Sequence, residues 1–369
     1  MPRSSQPRRP VTLATLAAEL NVSRTTVSNA YNRPDQLSPA LRERILGAAK
    51  RHGYPGPNPL ARSLRTRRAG VVGVMLTEML GYAFSDPSAV SFLAGVAESA
   101  EADRKGLLLL PIDRTSDAER AATTIGQAAV DALVIYSTSD DDPHVAAAQD
   151  RRIPLVICDQ PRDVPGASVV GIDDRAAMRS AAEHLLELGH RRIGVLCMRL
   201  ARGRSDGPVG PNRLAQTKFH VQRERIGGIL DAVAAAGMDP AAVVIHESFD
   251  NSVAGGRAAA ARICAGATTP TALLCTSDVL ALGAIEFARV AGLSVPGDMS
   301  VSGFDGIEEA RRAGVTTVWQ NSLEKGRVAG RMILQQSHSG VERVEMLPAK
   351  LIVGRTTGIV PGGRRLTYY

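Results

Sequence analysis

The chain of 369 residues is longer than one ordinary domain, and its 44% content of apolar residues is enough to bury a substantial core. No apolar run reaches the roughly 18 residues of a membrane span, and the basic N-terminus lacks the apolar segment of a secretory signal, so a cytoplasmic protein is predicted. The four cysteines form no CxxC pair, which argues against a zinc or disulfide framework.

The positive charge is concentrated at one end of the chain. Residues 1–70 hold 13 Lys and Arg against 3 Asp and Glu, whereas the remainder holds 31 against 34. A basic head on a slightly acidic body predicts that the head alone contacts a polyanion. A disordered basic tail would carry the same charge, but this head also has a helical pattern.

Three short helices are predicted in the head. Each begins after a residue that favours a helix N-cap, namely Thr12, Ser23 and Ser38, and the third has Pro39 at its first position. The first two are joined by a tight turn, which predicts a helix-turn-helix unit. In such a unit the second helix enters the major groove of DNA.

The second predicted helix, SRTTVSNAYN, has an outward face of small polar side chains. Short hydroxyls allow close approach to phosphates, and arginine can read guanine. The candidates for reading bases are Arg24, Thr25 and Asn29. The candidates for holding phosphates or capping helices are Thr12, Ser23, Thr26 and Ser28. A small helical bundle with an incidental polar face is the alternative interpretation.

The remaining 300 residues alternate between short apolar runs and amphipathic helices. Strands are predicted at VVGVML, LLLLPI, ALVIYS and PLVICD, and the alternation restarts after the helix RAAMRSAAEHLLELGH with RIGVLCM, AVVIHE, ALLCTSD and SVSGFD. Continuous apolar strands between helices predict parallel sheets covered on both faces. Two such blocks predict two doubly wound lobes with a ligand at the carboxyl ends of the strands.

The sequence lacks the common signatures of enzyme sites. There is no GxGxxG opening a helix after the first strand, no P-loop, no GxSxG elbow and no HExxH or paired metal spacing. Catalysis, a metal and a cofactor are therefore not expected.

Several stretches resemble the LacI/GalR family of bacterial transcription regulators. TLATLAAELNVSRTTVSNAYN, RERILGAAKRHGY and ARSLR are similar to its headpiece and hinge, and HLLELGHRRIGVL, PTALLCTSDVLALGAIEFAR and GLSVPGDMSVSGFDG to its effector domain. The resemblance implies an α/β protein with an N-terminal all-α helix-turn-helix headpiece (residues 1–57), a hinge (58–68) and a two-lobed, periplasmic-binding-protein-like effector and dimerisation domain (69–369). Three departures are an extra residue in GYPGPN, FDG in place of Phe-Asp-Asp or Phe-Asp-Asn, and Gly314 where a proline often precedes the Thr-Thr strand.

The resemblance also implies a role for the hinge. Leu64 would wedge into the minor groove at the centre of the operator, and Ala61 would lie close to the groove floor. Apolar wedges of this kind unstack a base step and bend the duplex. The alternative is that Leu64 is an ordinary linker leucine.

Six effector-binding residues carry over from the family by position: Asp86, Asp174, Arg225, Phe249, Asp278 and Gln320. A carboxylate and a guanidinium facing each other across a cleft suit a polyol. The alternatives are a helix N-cap for Asp278 and a solvated helix arginine for Arg225. The Gly/Pro-rich segment 198–220 has no clear counterpart in the family, and we interpret it as a flap over the cleft.

These features together predict a homodimeric repressor that binds near-palindromic double-stranded DNA under the control of a small-molecule effector, a sugar. A purine or nucleoside effector is an alternative, and an unregulated sugar-binding protein is a more distant one. The sequence leaves open whether the effector releases the repressor or acts as a co-repressor.

Overall fold

The computed structural model of the chain describes residues 11–57, 68–76, 81, 84–113, 115–266, 268–339 and 341–360. The chain divides into two compact units, Met1–Ala69 and Gly70–Tyr369, termed here the headpiece and the effector unit. The two predicted hinge residues, Ala61 and Leu64, lie outside the described residues.

The headpiece contains the three predicted helices: α1 (Leu13–Glu19), α2 (Arg24–Asn32) and α3 (Pro39–Arg51). The predicted caps are confirmed, because the hydroxyl oxygens of Thr12, Ser23 and Ser38 each accept a hydrogen bond from a backbone amide in the first turn that follows. A core of small and branched side chains holds the helices together, with Leu16 and Ile45 fully buried.

The effector unit consists of two α/β lobes. The first half of its chain contains β1 (Val71–Leu76), α4 (Pro87–Ala102), β2 (Gly106–Pro111), α5 (Ala118–Gln127), β3 (Ala132–Tyr136), α6 (Pro143–Asp150), β4 (Leu155–Cys158), β5 (Ala167–Gly171) and α7 (Asp174–Glu187). The second half contains β6 (Ile193–Met198), β7 (Gly207–Pro208), α8 (Pro211–Ala215), α9 (His220–Ala235), β8 (Val244–Ser248), α10 (Val253–Cys264), β9 (Ala272–Cys275), α11 (Asp278–Val290), β10 (Ser300–Asp305), α12 (Glu308–Ala313), β11 (Thr316–Gln320), α13 (Ser322–Ser339), β12 (Val344–Met346) and β13 (Ala349–Ile352).

The strands form one sheet in each lobe. The sheet of the first lobe has the order β12-β5-β4-β3-β1-β2, and its pairs are parallel. The sheet of the second lobe has the order β13-β11-β10-β9-β6-β8-β7, with antiparallel pairing only at its two outer strands. The predicted doubly wound parallel sheets are therefore confirmed.

The chain passes between the lobes three times. It leaves the first lobe after β5, and the helix that follows, α7, packs against α9 of the second lobe. It returns to the first lobe after β11, where α13 packs against α4. It crosses a third time between β12, in the sheet of the first lobe, and β13, in the sheet of the second. Each lobe thus combines segments distant in sequence, and the strand ends of both lobes meet at a common cleft.

Candidate functional sites

The outward side of α2 is the candidate DNA-reading face. Arg24 and Thr25 are exposed in its first turn. Asn29 is partly exposed one turn later, and its side-chain amide donates to the exposed Gln36 over 3.1 Å. The helix therefore presents Arg24 and Thr25 freely, while Asn29 is held in a fixed orientation by its neighbour.

Of the four residues predicted to hold phosphates or cap helices, three lie at helix starts and one is buried. Thr12 and Ser23 cap α1 and α2, and the Thr26 hydroxyl lies 2.8 Å from that of Ser23. Ser28 is only 7% exposed, and its hydroxyl accepts a hydrogen bond from the Asn32 side chain over 3.2 Å. We therefore correct the placement of Ser28, which lies on the inward side of α2 and neither caps a helix nor faces the surface.

A polar cleft lies between the two lobes of the effector unit. It contains about 780 Å³ of empty space, including space open to solvent. Many of its residues come from the carboxyl ends of strands. The lining residues are Leu76, Asp86, Ser88, Ala89, Tyr136, Ser137, Asp159, Gln160, Met198, Arg199, Phe219, Val221, Gln222, Arg225, Asn251, Asp305 and Gln320.

Three of the six predicted effector residues, Asp86, Arg225 and Gln320, line this cleft. Asp86 also caps α4, because its carboxylate accepts a hydrogen bond from the amide of Ser88. The other three predicted residues, Asp174, Phe249 and Asp278, are buried behind the lining.

The prediction that the Asp278 carboxylate faces the ligand needs correction. Asp278 is 0% exposed, and its oxygens accept hydrogen bonds from the Thr317 hydroxyl over 2.6 Å and the Ile307 amide over 2.9 Å. The N-cap of α11 is the preceding Ser277, so the capping alternative is also wrong for Asp278. Its carboxylate joins α11 to β11 and to the turn after β10. Burial raises its pKa to about 7.

Arg225 is 5% exposed, so the alternative of a solvated helix arginine is wrong. Its Nε donates to Asp174 over 2.8 Å and its Nη1 to the Thr276 carbonyl over 2.6 Å, while its guanidinium lies 3.5 Å from the centre of the Phe304 ring. Two donors of the fork are therefore used within the protein. Burial raises the pKa of Asp174 in spite of the neighbouring guanidinium.

Phe249 is 7% exposed and does not itself line the cleft. The guanidinium of Arg199, which does line the cleft, lies 6.0 Å from the centre of its ring. The guanidinium of Arg204 lies 5.1 Å from the same ring. The predicted stacking position is thus occupied by arginines of the protein, and Phe249 supports the cleft from behind.

Sequence reasoning missed a buried ionic chain beside the cleft. Lys325 donates to Asp159 over 2.6 Å and also to Gln320. Gln320 in turn donates to Asp305 over 2.7 Å, and the Asp305 carboxylate lies 3.7 Å from Arg225. These side-chain contacts link α13 of the first lobe to the ends of β10 and β11 in the second lobe.

The two carboxyl groups of this row of buried contacts, Asp159 and Asp305, have pKa shifts in opposite directions. Burial alone would raise the pKa of Asp159, but the Lys325 ammonium reverses that effect, so the pKa lies below the ordinary value. Burial raises the pKa of Asp305 to about 8, and Arg225 only partly opposes the rise. The Asp305 carboxyl therefore holds its proton to a higher pH than an exposed aspartate does.

Left-handed backbone marks three lining positions at strand ends. Ser137, Asp159 and Asp305 follow or end β3, β4 and β10 with φ angles of 51°, 66° and 111°. Non-glycine residues rarely adopt such angles, and they are concentrated at functional sites. In addition, the buried hydroxyl of Ser88, another lining residue, has no hydrogen-bond partner among the described residues.

Segment 198–220 lies at one rim of the cleft. It contains β7 and α8, and its residues Met198, Arg199 and Phe219 belong to the lining. It is therefore an ordered part of the cleft wall. The only signal for it in the sequence was its length and lack of a family counterpart.

The fold and cleft define a class: two-lobed proteins that bind a small molecule at the strand ends between their lobes. Residues 182–357 match the periplasmic binding protein-like domain. An HTH-type transcriptional regulator of Mycolicibacterium smegmatis is 53% identical over 366 residues, which cover 97% of this chain and 99% of the relative.

Two solved structures extend the comparison. A LacI-family transcriptional regulator from Corynebacterium glutamicum is 39% identical with a TM-score of 0.74, covering 95% of this chain and 99% of that one. A complex of the transcriptional regulator CelR with cellobiose is 27% identical with a TM-score of 0.68, covering 94% and 99%. The chain belongs to the LacI/GalR family of HTH-type transcription regulators, whose members bind DNA and small-molecule effectors. Within the described residues, no helix is both long and apolar enough to cross a membrane.

Proposed function

We propose that the protein is a homodimeric repressor whose affinity for a near-palindromic operator is set by a sugar bound in the cleft. The observation that carries this proposal is the presence, in one chain, of a capped helix-turn-helix with an exposed Arg24 and a two-lobed unit with a polar cleft. The two-fold symmetry of a dimer requires two operator half-sites, with centres about 34 Å apart.

The DNA-binding half of the proposal rests on α2. Arg24 and Thr25 are exposed where a recognition helix contacts base edges, and the Ser23 cap fixes the start of that helix. The net positive charge of the first 70 residues supports binding to phosphates in addition. Leu64 is proposed to wedge into the minor groove, as its sequence position implies.

The sugar-binding half rests on the chemistry of the lining. The lining contains side chains that accept or donate hydrogen bonds, among them Asp86, Gln222 and Asn251. A sugar needs a hydrogen-bond partner for each hydroxyl that leaves water, and such side chains can supply these partners. The solved complex of the related regulator CelR with cellobiose supports the choice of a sugar over a nucleoside.

The operator test begins with selection of bound sequences from a random duplex pool. The proposal predicts a near-palindromic consensus that is bound in the nanomolar range, with an affinity that falls steeply as salt is added. Selection of no consensus, or equal affinity for scrambled duplexes, would reject the operator-binding function.

The effector test is a thermal-shift screen of neutral sugars, nucleosides and purine bases, because a true ligand raises the denaturation midpoint by mass action. Each hit is then added to the operator titration. The proposal predicts that a sugar both stabilises the protein and changes its operator affinity. Stabilisation by purines alone would replace the sugar with the alternative effector class.

A further inference from the structure

Four hydrogen bonds cross the cleft at one rim, and all of them involve residues 202–223 of the second lobe. The guanidinium of Arg202, in the loop after β6, donates to the carbonyl of Ser116 over 2.9 Å. Ser116 precedes α5 of the first lobe and is 6% exposed, so this bond ends in a well-packed part of that lobe.

The other three bonds lie around the start of α9. The amide of Asp140, in the loop after β3, donates to the carbonyl of Lys218 over 2.7 Å, and its carboxylate accepts from Arg223 over 3.3 Å. The amide of Val221 donates to the side chain of Gln160 over 2.7 Å in a buried position. Two of these bonds therefore use backbone amides, whose positions are fixed by the fold.

The segment that reaches across is firmly attached to its own lobe. Arg204 forms an ion pair with Asp250 over 2.8 Å, and Asp206 accepts a hydrogen bond from the Phe249 amide over 3.0 Å. Further along, Arg213 pairs with the buried Glu247 over 2.7 Å. Because of these anchors, the four crossing bonds connect the lobes themselves and not only a loose loop.

We propose that residues 202–223 form an interlobe latch that stabilises the closed arrangement of the effector unit. The bonds use only groups of the chain, so they contribute to closure whether or not an effector is bound. The chain itself thereby sets part of the balance between open and closed lobes, and an effector supplies only the remaining free energy. The regulatory consequence rests on the proposed function, whereas the latch itself does not.

The first experiment uses the full-length protein alone, without DNA or effector. The double variant R202A/R223A removes both latch arginines, and hydrogen–deuterium exchange is followed in the peptides that contain the Asp140 and Val221 amides. We expect exchange of these two amides to become about tenfold faster, the size of effect that follows from losing one or two charge-assisted hydrogen bonds.

The matched control is R179A/R331A, which removes two arginines that form ion pairs within single helices. Exchange at the amides of Asp140 and Val221 should stay at the wild-type rate in this control. The latch is rejected if R202A/R223A leaves both amides unchanged, or if the control accelerates them equally.

The second experiment closes the latch covalently, which keeps the proposal testable if R202A/R223A unfolds. In D140C/K218C the new cysteines replace two residues of opposite lobes that are joined by a backbone hydrogen bond of 2.7 Å. The four native cysteines are buried, so they do not compete. The oxidised protein should exchange the Val221 amide at least about tenfold more slowly than its own reduced form.

Once the disulfide has formed under mild oxidation, equal exchange in the oxidised and reduced forms would contradict the latch. Operator selection decides the proposed function separately, because neither exchange experiment uses DNA. A latch that is present in a protein without operator binding would leave this inference standing and reject the proposed function.

Discussion

The headpiece and the effector cleft differ in the burial of their charged candidate binding residues, which are exposed in the headpiece and buried in the cleft. In the headpiece the residues that would read DNA, such as Arg24, are exposed and lie close together in the sequence, within the one helix α2. In the cleft the charged groups are buried and joined across long sequence distances, as Lys325 is to Asp159. Exposed charges respond mainly to salt, whereas buried ones respond to pH and to loss of a partner. Four predictions test this contrast.

The largest effect is expected from Lys325→Met. The ammonium is 2% exposed and is the partner of Asp159, so its removal leaves a buried carboxylate without its cation. Breaking a buried pair in this way costs about 3–5 kcal/mol. The measurement is denaturant unfolding of the effector unit. Lys105→Met, at a partly exposed lysine, should change the free energy of unfolding by no more than about 0.5 kcal/mol.

The second prediction concerns the pH dependence of stability at Asp305. Its folded pKa of about 8 lies above the ordinary value of about 4, so the unfolded chain loses its proton first as pH rises. The side chain therefore costs increasing stability between about pH 4 and pH 8. Relative to wild type, Asp305→Asn should gain stability steadily over that range, as measured by denaturation at each pH.

Asp113→Asn is the matched control for this titration. The pKa of the exposed Asp113 lies below its ordinary value because of hydrogen bonds from Thr115, so its ionisation is complete by about pH 5. The difference between this variant and wild type should stay constant above that pH. A constant difference for Asp305→Asn as well would mean that Asp305 is ionised at neutral pH.

The third prediction is for the exposed side of the comparison. Arg24→Ala should weaken binding to the selected operator by about 1–3 kcal/mol and relax the preference at one base position, while leaving the denaturation midpoint nearly unchanged. Binding is measured by fluorescence anisotropy. The control is Arg120→Ala, at an exposed arginine in the first turn of α5 in the effector unit. This substitution should leave operator affinity unaltered.

The smallest effect is expected from Ser23→Ala. The hydroxyl caps α2 by accepting from the Thr26 amide over 3.0 Å, and loss of such a cap costs about 1 kcal/mol. The measurement is thermal unfolding of the headpiece. Ser23→Asp should retain most of the stability because aspartate also caps helices, and an equal loss in both variants would show that the cap contributes little.

The sequence predicted the headpiece closely because its signals are local. A cap and its helix lie within a few residues, so Thr12, Ser23 and Ser38 identified all three helix starts correctly. The parallel strands with continuous apolar runs were predicted equally well. The strand β5 and the helices α5, α6 and α13 were among the elements that were not assigned individually.

The cleft was predicted only in part because its geometry is non-local. Asp305 was noted only as the start of a departure from the family pattern, yet it lines the cleft and bonds to Gln320. Conversely, Asp278 was expected in the cleft, but Thr317 and the Ile307 amide engage its carboxylate. Which carboxylate faces a ligand depends on partners that come from other strands, and the sequence alone does not order those strands.

The threefold passage of the chain between the lobes has a consequence for protein engineering. The first lobe needs α13 and β12, which come from the C-terminal part of the chain, so residues 70–171 alone lack one sheet edge and the helix that covers α4. A chimera that exchanges one lobe with a relative must therefore be joined at three points. Truncation between β11 and α13 would damage the lobe that is encoded first.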